Sequence, residues 1–275
     1  MKPFKLIVFG LLTLHSLAVG LFAADFDAKH WNKHNESNTK DIDHRNWEDL
    51  LSRYVVEDRS GVNLVQYAKF TEPDKEKLNG YIEGLEKITV TGYSRSAQLA
   101  YWINLYNSVT WKVIIDHYPV SSIKKIRISP GLFSVGPWGK KLVRIENQDL
   151  SLDDIEHKII RPIWSDDRIH YAVNCASIGC PNIVLRAYTR ENTESLLDKA
   201  RTGYINHSRG VQVQENGSLR VSSLFKWYQT DFAPDKAGLI AYFKRHAKGT
   251  LAQELQKVSE NGRISYDYDW SLNQP

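Results

Sequence analysis

Sulfur is scarce in this chain: two cysteines and one methionine among 275 residues. Two cysteines cannot build a disulfide scaffold, and a chain of this length with 42% hydrophobic residues has no need of one to fold. They also cannot supply a thiolate-rich metal centre. An excess of one charge is missing as well. Lys and Arg number 36 against 32 Asp and Glu, a formal net charge of +4. Residues 1–24 contribute Lys2 and Lys5 and no acid, so without them the balance falls to +2. So small a surplus gives no grounds for nucleic acid as a partner. After residue 24 no apolar run approaches the length of a membrane span, and no internal repeat is visible.

The N-terminus has the features of an export signal. Lys2 and Lys5 precede an apolar stretch from Leu6 to Leu21, and Phe22-Ala23-Ala24 offers small residues for cleavage. Thr13, His15 and Ser16 interrupt the stretch, which argues against a permanent anchor. The expected location is periplasmic or extracellular, with membrane contact only through this segment if it stays uncleaved. Residues 25–44 are polar and read as a linker or arm. His30, His34 and His44 fall there at spacings that match no closed ligand set. Neither a metal nor a cofactor is expected.

A single α+β domain is expected over residues 45–272. Trp47, Leu50, Leu51, Tyr54 and Val55 recur at helical spacing, as do Leu78, Tyr81, Ile82 and Leu85. The strongest helix runs from Ser96 to His117, and its apolar stripe puts it at the centre of the core, against a small, mostly antiparallel sheet. Tyr118-Pro119 ends it. Residues 122–128, 140–145 and 169–173 look like strands. A helix opens at Ser151-Leu-Asp-Asp154 and stops near Arg161-Pro162, and another covers 189–204. Residues 210–222 alternate around Glu215-Asn-Gly217 as a hairpin. Helical segments at 223–228, 236–247 and 250–258 precede a last strand at 264–268. The irregular order of elements excludes a doubly wound sheet.

Both cysteines lie in His170-Tyr-Ala-Val-Asn-Cys-Ala-Ser-Ile-Gly-Cys-Pro181. Two chemistries are open for Cys175 and Cys180. As thiols, they make Cys175 a candidate nucleophile, with His170 or His157 as base, the small-residue loop Ala176 to Gly179 offering amides to an oxyanion, and Ser177 at hand. As a disulfide, they form a structural clip. Asn104 and Asn107 share a face of the apolar helix and need partners, such as the loop after Asn174. His157 follows Glu156 directly, and adjacent residues of an ordinary helix diverge. Trp102, Trp138 and Trp227 are candidates to line a ligand groove or partner surface.

Four segments in register carry a resemblance: Ala100-Tyr-Trp-Ile-Asn-Leu-Tyr-Asn107, Leu152-Asp-Asp-Ile-Glu-His157, His170 to Pro181, and Tyr268-Asp-Trp-Ser-Leu-Asn273. Together they resemble domain of unknown function family 547, with a core at about 94–204. The resemblance implies that the Asn104 helix, His157 and the His170–Pro181 loop belong to one shared pattern. The expected activity is thiol-dependent acyl hydrolysis or transfer at an amide or ester of a small-molecule or peptide ligand. The alternative is a cell-envelope binding module with a Cys175–Cys180 disulfide.

Overall fold

A computed structural model describes residues 26–131 and 133–275. The segment read as an export signal lies outside the described residues. The chain opens with α1 (Ala28–Trp31), α2 (Arg45–Tyr54), the strands β1 (Val55–Glu57) and β2 (Asn63–Val65), α3 (Glu72–Glu86) and α4 (Arg95–Asp116). The strands β3 (Val143–Ile145) and β4 (Gln148–Leu150) follow, then a π-helical segment (Asp154–Ile160) that runs straight into α5 (Arg161–Trp164). Next come α6 (Thr193–Ile205), the strands β5 (Val211–Val213) and β6 (Leu219–Ser222), α7 (Leu224–Trp227), α8 (Gln229–Phe232), α9 (Lys236–His246), α10 (Gly249–Gln256) and β7 (Ile264–Asp267). This is an α+β fold.

Helix α4 starts where the Ser94 hydroxyl accepts from the Ala97 amide. Every residue from Ala97 to Trp111 is buried, as befits a helix apolar on all sides. Its buried amide and hydroxyl side chains find partners: Gln98 donates to the Lys33, Val90 and Tyr93 carbonyls, and Ser108 and Thr110 donate back to their own helix, whereas the buried Trp111 indole N–H has none among the described residues. The expected single sheet is absent. Among the described residues there are three small sheets: β1–β2 and β3–β4, both antiparallel, and β5–β6–β7, in which β7 runs parallel to β6. Helix α4 packs mainly on α3, the π-helical segment and α6. None of the described helices is long and apolar enough to cross a membrane.

Three local readings need correction. Residues 122–128 form no strand. The Ser122 hydroxyl accepts from the Lys124 amide and winds Ile123–Lys125 into a 3₁₀ turn. Residues 169–173, read as a buried strand, belong largely to a 3₁₀ turn over Asp167–Tyr171. There Asp166 accepts from both the Arg168 amide and its guanidinium, which coils the chain. A short apolar run does not distinguish a strand from a buried turn. The polar segment 26–44 is packed against the rest: Trp31 is buried edge-on against Trp102, and His44 bonds the Tyr81 hydroxyl at 2.7 Å.

The apolar interior falls into two clusters. One surrounds α4; the other lies between the β5–β6–β7 sheet and helices α9 and α10. Residues 172–181, most of them buried, join the first through Ala172, Val173 and Ala176 and meet the second where the Tyr204 hydroxyl donates to the Gly179 carbonyl.

Candidate functional site

The cysteine loop is held from four directions. From α4, the Asn107 amide donates to the Ala172 carbonyl at 2.9 Å, and its carbonyl oxygen accepts from the Asn174 amide at 2.8 Å. Within the loop, Asn174 accepts from the Ala176 amide and donates to the Pro181 carbonyl. That turn places Ala176 at φ +57°, a left-handed conformation disfavoured for alanine, and brings Cys175 back toward Cys180. The C-terminal segment adds an edge: the Ile178 and Gly179 amides donate to Ser271 and Asp269, and the Asn273 amide donates to Ala176. Gly179 is required by that approach, since a Cβ there would stand 2.9 Å from the Asp269 nitrogen. Beneath, the Arg209 guanidinium donates to the Ile178 and Cys180 carbonyls at 2.6 and 3.0 Å.

The two sulfurs face one another at 2.7 Å and are not joined; both cysteines are free thiols. Cys175 is half-buried and Cys180 lies behind it. The Cys175 sulfur contacts the Tyr268 hydroxyl at 3.1 Å and the Ser177 hydroxyl at 3.3 Å, and its amide donates to the Cys180 sulfur. Burial pushes the Cys180 thiol up, but hydrogen bonds from the Cys175 thiol, the Tyr268 hydroxyl, the Cys175 amide and Ser177 outweigh it and bring Cys180 down to about 7. Cys175 moves the opposite way, well above the ordinary range, because its hydrogen bond to Cys180 and its burial both favour the protonated form. The adjacent sulfurs thus share one proton.

These sulfurs form part of the lining of a cavity of about 260 Å³. One wall is aromatic. Trp138 packs on Trp270 (5.8 Å between ring centres), Trp270 on Trp227 (5.6 Å), and Tyr268 on both Trp270 and Trp227. The lining also includes Asp153, Glu156, His157, His170, Tyr106 and Tyr228, and the Asp153 amide donates to the Trp138 carbonyl at 3.0 Å. Glu156 and His157 reach the same cavity because the π-helical winding changes the angle between successive side chains. Pro162 falls in the first turn of α5, directly after that winding, where its missing amide and fixed φ are tolerated; the helix therefore continues past it.

His170 is buried, stacked on Tyr228 (4.1 Å), and bonded through Nε2 to Asp231 at 2.7 Å. Asp231 also receives Arg161 through Nε and Nη2. The His170 hydrogen bond, then Arg161, hold its carboxyl far below the usual range against the effect of burial. Burial, and next the Glu156 carboxylate beside it, raise the Tyr228 phenol.

Of the residues expected at a site, Cys175, Cys180, His157, His170, Trp138 and Trp227 line this cavity, and Ser177 braces the sulfurs from behind. Asn107 fixes the loop. Asn104 does not reach the site: its side-chain nitrogen donates to the Tyr188 carbonyl and its side-chain oxygen accepts from the Tyr188 amide. Trp102 lies in the core against Trp31 and Tyr101. Among the described residues no hydrogen bond joins either imidazole to either sulfur. The amides of Ala176, Ile178, Gly179 and Cys180 all have acceptors already, so they are not free to hold an oxyanion. Tyr228, Asp231 and Arg161 went unread because no local motif marks them, whereas Tyr268 sits in a quoted family segment. Among the described residues no three His, Cys, Asp or Glu side chains converge to hold a metal ion.

Residues 90–205 match the family described as "Protein of unknown function, DUF547". No curated protein and no solved structure matches the chain. The matched span contains Asn107, Glu156, His157, His170 and both cysteines. Trp227, Tyr228, Asp231, Tyr268 and Trp270 lie beyond it.

Proposed function

We propose that this chain, whose residues 90–205 belong to that family of unknown function, is a thiol-dependent enzyme with the Cys175–Cys180 pair as its reacting group. The reaction is thiol–disulfide exchange with a small-molecule or peptide ligand in the cavity. One observation carries the reading: two free sulfurs in contact, the outer one at a cavity and the inner one behind it, supplied with donors that favour a thiolate at about neutral pH.

The shared proton rests mainly on Cys175; when it passes to Cys180, the outer Cys175 thiolate attacks a ligand disulfide and forms a mixed disulfide. The first ligand thiolate leaves and takes up a proton from solvent. Cys180 then loses its proton and attacks the Cys175 sulfur. The Cys175–Cys180 disulfide closes, the second ligand thiol departs, and the ligand has been reduced by the two electrons the protein has lost. Export through residues 1–24, to the periplasm or the exterior, belongs to the same proposal, since disulfide chemistry persists there.

The test offers 2-hydroxyethyl disulfide to the reduced protein. The wild type should release two thiols per chain and close its own disulfide. Cys180→Ser should stall with an adduct on Cys175, and Cys175→Ser should release nothing. Absence of any reaction in the wild type, or equal release by Cys175→Ser, overturns the reading. Acyl hydrolysis or transfer by Cys175 is the second reading, favoured by the buried Glu156 and His170, with Asp231 bonded to His170, in the same region. It requires catalytic turnover of an ester or amide that survives Cys180→Ser. A native disulfide that resists small thiols would instead support the binding module with a structural clip.

A further inference from the structure

The cavity is chemically one-sided. Its only charged lining side chains besides the imidazoles are Asp153 and Glu156; no Lys or Arg is among them. The nearby guanidinium of Arg161 is committed to Asp231 and to His157 Nδ1 at 3.3 Å. Glu156 is 6% exposed, and the hydrogen-bond donor beside its carboxylate is the neutral Tyr228 phenol. Of the imidazoles, His157 Nδ1 lies 3.7 Å and His170 Nδ1 4.0 Å from it, and His170 is already tied to Asp231. The Asp153 carboxylate has no hydrogen bond among the described residues, with His157 Nε2 at 3.8 Å. A buried carboxylate whose hydrogen bond comes from a neutral phenol still lacks a bound counter-charge, and a cation that enters the same space lowers the cost of burying it.

The aromatic part of the lining suits such a cation. Trp138, Trp227 and Trp270 line the cavity with indole rings, whose faces are electron-rich, and Trp227 is 47% exposed. Trp270 already holds the Lys124 ammonium over its ring at 4.9 Å. A carboxylate or phosphate ligand would meet Asp153 and Glu156, and the two imidazoles of the lining are already engaged, His170 with Asp231 and His157 beside both carboxylates. A neutral ligand would leave Glu156 without a counter-charge.

We infer that the cavity binds an organic ammonium group, with Glu156 as its counter-ion and the Trp138–Trp270–Trp227 wall as its cage. The inference rests on this cavity being the working site, and it names the ligand class rather than the reaction.

The probes are choline and its neutral isostere 3,3-dimethylbutan-1-ol, compared by calorimetry at fixed salt on the wild type and on Cys175→Ser. Choline should bind both proteins roughly tenfold or more tightly than the alcohol. Glu156→Gln should abolish the preference while keeping the volume of the side chain, and Trp227→Ala should weaken choline more than the alcohol. Equal binding of the two probes, tighter binding of the anion 3,3-dimethylbutanoate, or no measurable choline binding overturns the inference. The wild-type comparison decides this even if a variant fails to fold. A choline preference in a protein whose thiols prove inert would leave this inference standing and remove the proposed reaction. Active thiols without the preference would do the reverse.

Discussion

Asn107 links the buried helix to the reactive loop through two hydrogen bonds in a dry interior. Replacing it with alanine strands the Asn174 amide and the Ala172 carbonyl, and the expected loss is about 2–4 kcal/mol. Urea denaturation should register that loss together with faster alkylation of Cys180. Asn104→Ala should cost a comparable amount by the same method and leave alkylation unchanged, because its partner Tyr188 lies off the cavity. Tyr268 acts on the sulfurs themselves. The lowered thiol is protonated and slow below about pH 7 and reactive above it. Tyr268→Phe removes a donor to the thiolate, so the midpoint of the alkylation rate against pH should move up toward the ordinary cysteine range, with a slower rate at pH 7. An unshifted midpoint would deny the hydroxyl that role. At this scale the sequence was informative where polarity stood out: paired asparagines on an apolar helix announce a buried hydrogen-bonding task. It was silent on Asp231 and Tyr228, whose surroundings are ordinary in the chain and special only after folding.

Capping and clamping explain why the helices could be read and the turns could not. Helix α3 begins at Thr71, and Asp74 in its first turn receives Tyr54 and Arg53 from α2 as well as the Thr71 hydroxyl. Burial opposes ionisation there, but those three donors prevail and hold the Asp74 carboxyl at about 2. Its folded value lies below the usual value of about 4. The stabilisation is therefore present above about pH 4 and is lost as pH falls toward 2. Asp74→Asn should flatten the pH dependence of the urea midpoint over that interval and lower stability at pH 7 by about 1–3 kcal/mol. Periodicity over four or more turns marked α4 and α3 plainly. The 3₁₀ turn at Asp167–Tyr171 and the π-helical stretch at Asp154–Ile160 are shorter than the window in which a period declares itself. Both belong to the site, so the site was less legible than the scaffold around it.

The chain returns at its end to its middle. After β7, residues 268–273 leave the second cluster, border the cysteine loop and reach the first, where Leu272 is buried and Asn273 accepts from the Val65 amide and the Tyr67 hydroxyl. Leu272→Ala should cost about 2–5 kcal/mol by thermal or urea unfolding. It should also raise the reactivity of Cys180 under native conditions, since the loop edge and the core loosen together. A variant as stable as the parent would show that this segment only rests on the surface. Closures of this kind, some ninety residues apart in sequence, leave no periodic trace and explain why one sheet was expected and three were found. The aromatic wall has a practical corollary. Of eight tryptophans, three (Trp138, Trp227 and Trp270) stand around one small chamber, while Trp31, Trp47, Trp102 and Trp111 are sealed in the interior. Whatever enters displaces water from those three indoles and leaves the sealed four untouched. The molecule carries a built-in optical gauge, and the colour of its emission follows occupancy without any added dye.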